Sequence, residues 1–352
     1  MKFIIHRSCA GFGDRLIQLC FCIEIAIKTK RILVVDWRDI VWAGDDEKKD
    51  FYYYFTLKDV PHITRERFLE ITKKIKINSV WPFKWENWEN CKLDGNEDDY
   101  MTFLNKVVKE NKSKVNKEVL NQYDILCKEI ETIDVENPAD VFMNKEHDVI
   151  LWQDIKFNFP AKCLLFSHIK FNYNVIKFID NDINSFIIRN NLPYFAVHLR
   201  GTDRAYNENK ILENNSQNAE KYIEDIVKNI DTNLCKNIML LTDSNVLKNK
   251  FVELYNDTFN IIINSTIISQ DEEAIHMQIE NKVINNLHML KDYNYLIKSL
   301  NIYNDGISYF STTAKIIQQV AKLIKDKDKK DITKEDCNII SNKIKDLLIN
   351  IV

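Results

Sequence analysis

Residues 2–36 alternate short apolar runs with a glycine turn and a helical stretch, and this alternation limits the fold more than any other feature. KFIIH comes first, followed by RSCAGFGD, RLIQLCFCIEIAIKTK and RILVVDW. Leu16, Leu19, Cys20, Ile23, Ala26 and Ile27 recur at helical spacing and make one apolar face. ILVV is short and rich in β-branched residues, as suits a strand buried in a parallel sheet. Strand, glycine turn, helix and strand make a βαβ unit whose first turn points at a ligand crevice. The expected class is α/β.

A second α/β series opens after NNLP (190–193), where Pro193 is a breaker. FAVHL, NIMLLTDS (237–244) and FNIIINS (259–265) are expected as strands, and residues 217–230 as an amphipathic helix. GISYFSTTAKIIQQVAKLIK reads as a strand, a Ser-Thr-Thr turn and a long helix. Ser311, Thr312 and Thr313 then fall at the start of that helix, where free N–H groups and the positive dipole end favour a phosphate. Strands ending in HLR, TDS and STT would line one crevice, because ligands of open α/β sheets bind at the strands' carboxyl ends. The expected organisation is an N-terminal α/β domain over 1–185, a Rossmann-like nucleotide-binding domain over 186–325, and a solvated hinge with a last helix over 326–352. The length of 352 residues agrees with about two domains of roughly 150 each.

Glycine makes up only 6 of the 352 residues, against a usual share of about 7%, so each position carries information. Gly11 and Gly13 lie together, Gly201 follows HLR, and Gly306 precedes the Ser-Thr-Thr cluster. A dinucleotide fingerprint needs G-x-G-x-x-G and an acidic residue about twenty positions on. Asp36 suits the second requirement, but Leu16 stands where the third glycine would pack helix against sheet. No G-K-[ST] follows, which excludes a Walker loop.

Between the two series, FYYYF (51–55) is expected as a buried or half-buried strand or turn, and residues 100–133 as an amphipathic helix. Trp81, Trp85 and Trp88 fit one helical face, either as a packed aromatic corner or as a platform on which a sugar ring stacks. A hydrophobic share of 45%, a charged share of 29% and a net charge of −3 describe a soluble globular protein and argue against nucleic acid as partner. No apolar run approaches the ~20 residues of a membrane-spanning helix, and the N-terminus lacks a secretory pattern. The eight cysteines are scattered without zinc-site spacing, as expected of reduced thiols in a cytoplasmic protein.

Four of these motifs resemble a known family. GFGDRL, a helix and ILVVDWR resemble the opening of the rhizobial nodulation fucosyltransferases. HLRGTDRAYNE resembles the H-x-R-x-x-D block of the core α1,6-fucosyltransferases, and LLTDS and YFSTTAK resemble two later motifs shared with protein O-fucosyltransferases. The resemblance implies a GT-B glycosyltransferase with two Rossmann-like α/β domains facing a cleft. It further implies GDP-fucose as donor, a glycan or glycoconjugate hydroxyl as acceptor, inversion at the anomeric centre, and neither metal nor other cofactor.

The same resemblance assigns roles. Arg200 matches an arginine that contacts the β-phosphate, a task suited to a fork that stays charged. Arg204 stands where the family carries a lysine, and Asp203 would orient the arginines. Glu208 stands where the core α1,6 motif places its catalytic glutamate and would accept the acceptor's proton. The counterpart of His198 lies against the nucleotide. Asp243 and Ser244 would line the same crevice, with Ser311, Thr312 and Thr313 on the phosphates and Gly11, Gly13, Asp14 and Arg15 forming the first-domain turn at the ligand. Two positions depart from the pattern. Gly201 replaces a second arginine, and Asn286 in VINNLHML replaces a guanine-reading aspartate, whose carboxylate can take both guanine donors as an amide cannot. A different nucleotide sugar, an inactive sugar-nucleotide or glycan-binding module, and an NAD-dependent oxidoreductase remain as alternatives.

Overall fold

The computed structural model describes residues 1–8, 11–81, 146–153, 163–201, 216–264, 281–306 and 308–326. Asp203, Arg204, Glu208, Trp85, Trp88, the helix expected over 100–133 and the tail after 326 lie outside these residues. Two compact units divide the described residues between Asn172 and Tyr173.

The first unit runs β1 (Phe3–Arg7), α1 (Phe12–Thr29), β2 (Ile32–Asp36), helical turns at Ile40–Ala43 and Phe51–Tyr54, β3 (Phe55–Leu57), α2 (Arg65–Thr72), β4 (Val80–Trp81), β5 (Val149–Gln153) and β6 (Ile169–Phe171). The βαβ unit forms as its pattern predicts, with β1 pairing parallel to β2. The sheet order is β2-β1-β5-β4, all parallel, and β3 and β6 form a separate antiparallel ribbon. Phe3, Ile5, Val34, Val149 and Leu151 turn to one face and pack with Phe68 of α2, as the two-residue period of strands requires. One expectation is narrowed here and another changes. FYYYF is mostly a helical turn, because the Asp50 carboxylate accepts the Tyr52 N–H at 2.9 Å and caps it. Trp81 closes a two-residue strand and is buried, so it does not begin a helical aromatic face.

The second unit runs α3 (Tyr173–Asp180), α4 (Ser185–Arg189), β7 (Phe195–Leu199), α5 (Ser216–Val227), β8 (Asn237–Thr242), α6 (Asn245–Tyr255), β9 (Asn260–Ile263), α7 (Lys282–Lys298), β10 (Ile302–Tyr303) and α8 (Tyr309–Asp326). Its sheet has the order β10-β7-β8-β9, all parallel. Alternation along β7 sends Phe195, Val197 and Leu199 toward Ala219 and Ile223 of α5 and Leu247 and Phe251 of α6. Ala196 and His198 therefore face the other side of the sheet. Asp182, between α3 and α4, is fixed to α7. It accepts from Lys291 at 3.1 Å and from Tyr295 at 2.8 Å.

One further expectation shifts. The strand read into GISYF lies earlier, at Ile302–Tyr303. Gly306 adopts φ +77 in the turn that follows, a conformation other side chains resist. The helix starts at Tyr309, so Ser311, Thr312 and Thr313 sit inside its first turns rather than ahead of it. Among the described residues no helix is long and apolar enough to cross a membrane.

Candidate functional site

In the second unit the chain steps from β7 to β8 to β9, then returns to the opposite side of β7 as β10. The strand order reverses between β7 and β10, and the carboxyl ends of strands at such a reversal border the ligand crevice of an open α/β sheet. His198, Arg200 and Gly201 close β7 at this point, Asn304 and Asp305 follow β10, Asp243 follows β8, and α8 begins nearby.

The backbone beyond β7 is held from two sides. Gly201 N–H donates to Asp243 Oδ1 at 2.7 Å, and Arg200 N–H donates to the Tyr222 hydroxyl at 3.3 Å. Tyr222 donates in turn to Asp305 Oδ2 at 3.1 Å, and Asp305 Oδ1 accepts from Ser308 N–H at 3.4 Å. The Arg200 guanidinium forms an ion pair with Asp243, Nε to Oδ2 at 3.7 Å, with the two side chains 20% and 17% exposed.

His198 is buried, with its ring 5.4 Å from that of Phe310. Burial lowers its pKa to about 4 despite the opposing pull of Asp305 and Asp243, so the imidazole is neutral near pH 7. Its Nδ1 is buried without a hydrogen-bond partner, a costly arrangement that a bound polar group would relieve. The first intrahelical bond of α8 runs from Thr312 N–H to Ser308 O at 3.0 Å. The N–H groups of Tyr309, Phe310 and Ser311 thus lie ahead of the helical ladder, at the positive end of an 18-residue helix.

The hydroxyls expected on phosphate have places within the fold. Ser244 is the N-cap of α6, its Oγ accepting Leu247 N–H at 3.3 Å. Ser311 Oγ accepts from Asn304 at 2.7 Å. Thr313 donates to Tyr309 O at 2.8 Å and accepts from Tyr293 at 3.0 Å. Thr312 is buried in the same turn, and Asn286 is buried on α7. Gly201 explains its own departure from the family pattern. A Cβ there would fall 2.2 Å from Ser244 Cβ and 2.9 Å from Leu247 Cδ1. No arginine fits without moving the backbone.

Gly11 is the N-cap of α1, Gly13 lies within the helix, and Asp14 stays partly exposed in its first turn. Arg15 is buried, and its fork closes on Asp39 with both bonds at 2.8 Å. Trp37 and Trp42 lie 5.4 and 5.5 Å from its guanidinium carbon. Asp36, the acidic residue a dinucleotide fold would place on a ribose, is fully buried and accepts from Arg7 at 3.1 Å and from Arg38 at 2.6 Å. Burial works to raise its carboxyl, but the two guanidiniums outweigh it and hold the group below the ordinary value. Asp36 is therefore committed inside the fold.

Sequence reasoning missed Tyr222 and Asp305. Asp305 carries a weak signal, an Asp-Gly turn pair one residue after Ile302-Tyr303. Tyr222 carries none, since it occupies a helix face like any half-buried aromatic residue.

No protein-family model matches the chain, and no curated protein matches it in sequence. Solved structures do. The fucosyltransferase NodZ from Bradyrhizobium aligns with 17% identity and a TM-score of 0.52, over 90% of this chain and 92% of that one. NodZ alpha-1,6-fucosyltransferase co-crystallized with GDP gives 17% and 0.53 over 90% and 92%. POFUT1 in complex with GDP gives 14% and 0.45 over 89% and 94%. At such identities the likeness is one of architecture, and this chain carries the fold of NodZ along nearly its whole length.

Proposed function

We propose that the chain is a glycosyltransferase of GT-B type that moves fucose from GDP-fucose to a glycan or glycoconjugate hydroxyl, inverting the anomeric centre without a metal. The observation that carries this reading is the site at the β7/β10 reversal. A partly exposed arginine, a neutral histidine with a buried unpartnered nitrogen and the start of a long helix meet there, on a fold shared with a fucosyltransferase. Departure of GDP leaves negative charge on the diphosphate. Arg200 supplies the fixed countercharge, and the N–H groups at the start of α8 supply further donors. Neutral His198 offers a hydrogen bond to the nucleotide rather than a charge. Glu208 takes the acceptor's proton and Asp203 orients the arginines, with the first domain presenting the acceptor across a cleft and the reaction located in the cytoplasm.

The test is transfer from GDP-fucose to a panel of glycan acceptors, with and without chelator. Turnover that survives EDTA and fails in Glu208→Gln supports the mechanism. Activity lost to EDTA and restored by a divalent ion overturns the metal-free step, and full turnover in Glu208→Gln overturns the base. A second reading, a different nucleotide sugar, is favoured by Asn286 alone, since an amide cannot accept both guanine donors. Competition between GDP-fucose and other nucleotide sugars separates the two.

A further inference from the structure

We propose that Tyr222 and Asp305 form a positioning pair that holds the Arg200 peptide, and through it the guanidinium, in place for the diphosphate of a bound nucleotide. A phenol has one hydrogen to give. Tyr222 gives it to Asp305 Oδ2 at 3.1 Å, which leaves its oxygen to accept Arg200 N–H at 3.3 Å. The Arg200 carbonyl lies 3.4 Å from the same oxygen, so the hydroxyl spans both ends of one residue's backbone. Burial and the Asp305 charge push the phenol well above its ordinary value, which keeps the donated proton in place.

The second Asp305 oxygen accepts from Ser308 N–H at the entrance to α8. Through this one carboxylate and one hydroxyl, α5, the end of β7 and the turn into α8 are tied together. From the β8 side, Asp243 holds the next N–H, that of Gly201, at 2.7 Å. Two consecutive peptide N–H groups are thus fixed from opposite neighbours, leaving Arg200 only its side-chain torsions. A cation held before the ligand arrives loses less freedom on binding.

This inference rests on the reading of Arg200 as the diphosphate's partner. The experiment is calorimetric titration of the full chain with GDP and with GMP, for wild type, Tyr222→Phe, Asp305→Asn and Arg200→Ala, with thermal unfolding of each. GMP lacks the β-phosphate, so the ratio of affinities isolates the grip on it. Wild type is expected to prefer GDP, and Arg200→Ala to abolish the preference. Tyr222→Phe keeps the ring and its packing and is expected to cut the ratio about tenfold, on the scale of one charge-assisted hydrogen bond. Asp305→Asn is expected to act in the same direction, and should it fail to fold, Tyr222→Phe decides. Equal weakening of both nucleotides, or a lowered melting temperature at an unchanged ratio, overturns the pairing. A wild-type ratio in Arg200→Ala overturns the diphosphate reading, and the pairing with it.

Discussion

Arg200 faces a competition that decides its usefulness. One of its countercharges is Asp243, at 3.7 Å and partly exposed, a pairing worth only about 0–1 kcal/mol in such surroundings. A diphosphate brings more charge and more acceptors than this one carboxylate at 3.7 Å. Arg200→Ala is expected to lower turnover by about 10²–10³, the usual effect of deleting a preorganised donor, as single-turnover kinetics would show. Gly201→Ala sets a test at the adjacent residue. Its Cβ would meet Ser244 Cβ at 2.2 Å, and such overpacking costs about 1–3 kcal/mol, readable in urea unfolding. These two residues were legible in the sequence, one from its place in HLRG and the other from the scarcity of glycine. The reason for the glycine was not, because Ser244 approaches it only in three dimensions.

At the scale of elements, the strands that pack on both faces were the readable ones. FAVHL and ILVVD are long enough to show period or β-branched enrichment, and both appear where the pattern puts them. β10 is two residues long and shows no period, so GISYF took its place in the reading, and the helix start moved with it. The Tyr222–Asp305 bond joins residues 83 positions apart and leaves no trace in local pattern. α7 carries a pH-dependent term. Asp292 is half-buried, and desolvation raises its pKa from 3.8 to about 7 despite Lys291 and the 2.8 Å bond from Asn264. A raised carboxyl binds its proton more tightly folded than unfolded, so its contribution is fully present below pH ~4 and is lost as pH rises through 7. Asp292→Asn is expected to flatten the fall in unfolding free energy between pH 5 and 7.5, measured by urea titration across that range. An unchanged slope would show that Asp292 titrates normally.

Over the whole molecule, two parallel sheets each reverse strand order once, yet the ends of β1 and β7 differ in chemistry. In the first unit the charges at and beyond the end of β1 are paired internally, Arg7 and Arg38 with Asp36 and Arg15 with Asp39. In the second, the arginine beyond β7 is partly exposed, and the Nδ1 of its histidine neighbour has no hydrogen-bond partner among the described residues. The dinucleotide alternative loses its ribose-binding acid here, because Asp36 is buried and already engaged by Arg7 and Arg38. The central claim is therefore a nucleotide-diphosphate-sugar site built around Arg200. It is tested most directly by calorimetric titration of the intact chain with GDP-fucose in EDTA, comparing wild type with Arg200→Ala. Saturable binding by wild type, weakened about a hundredfold in Arg200→Ala, is the predicted result. No binding by wild type, or equal affinity in the two proteins, would contradict it.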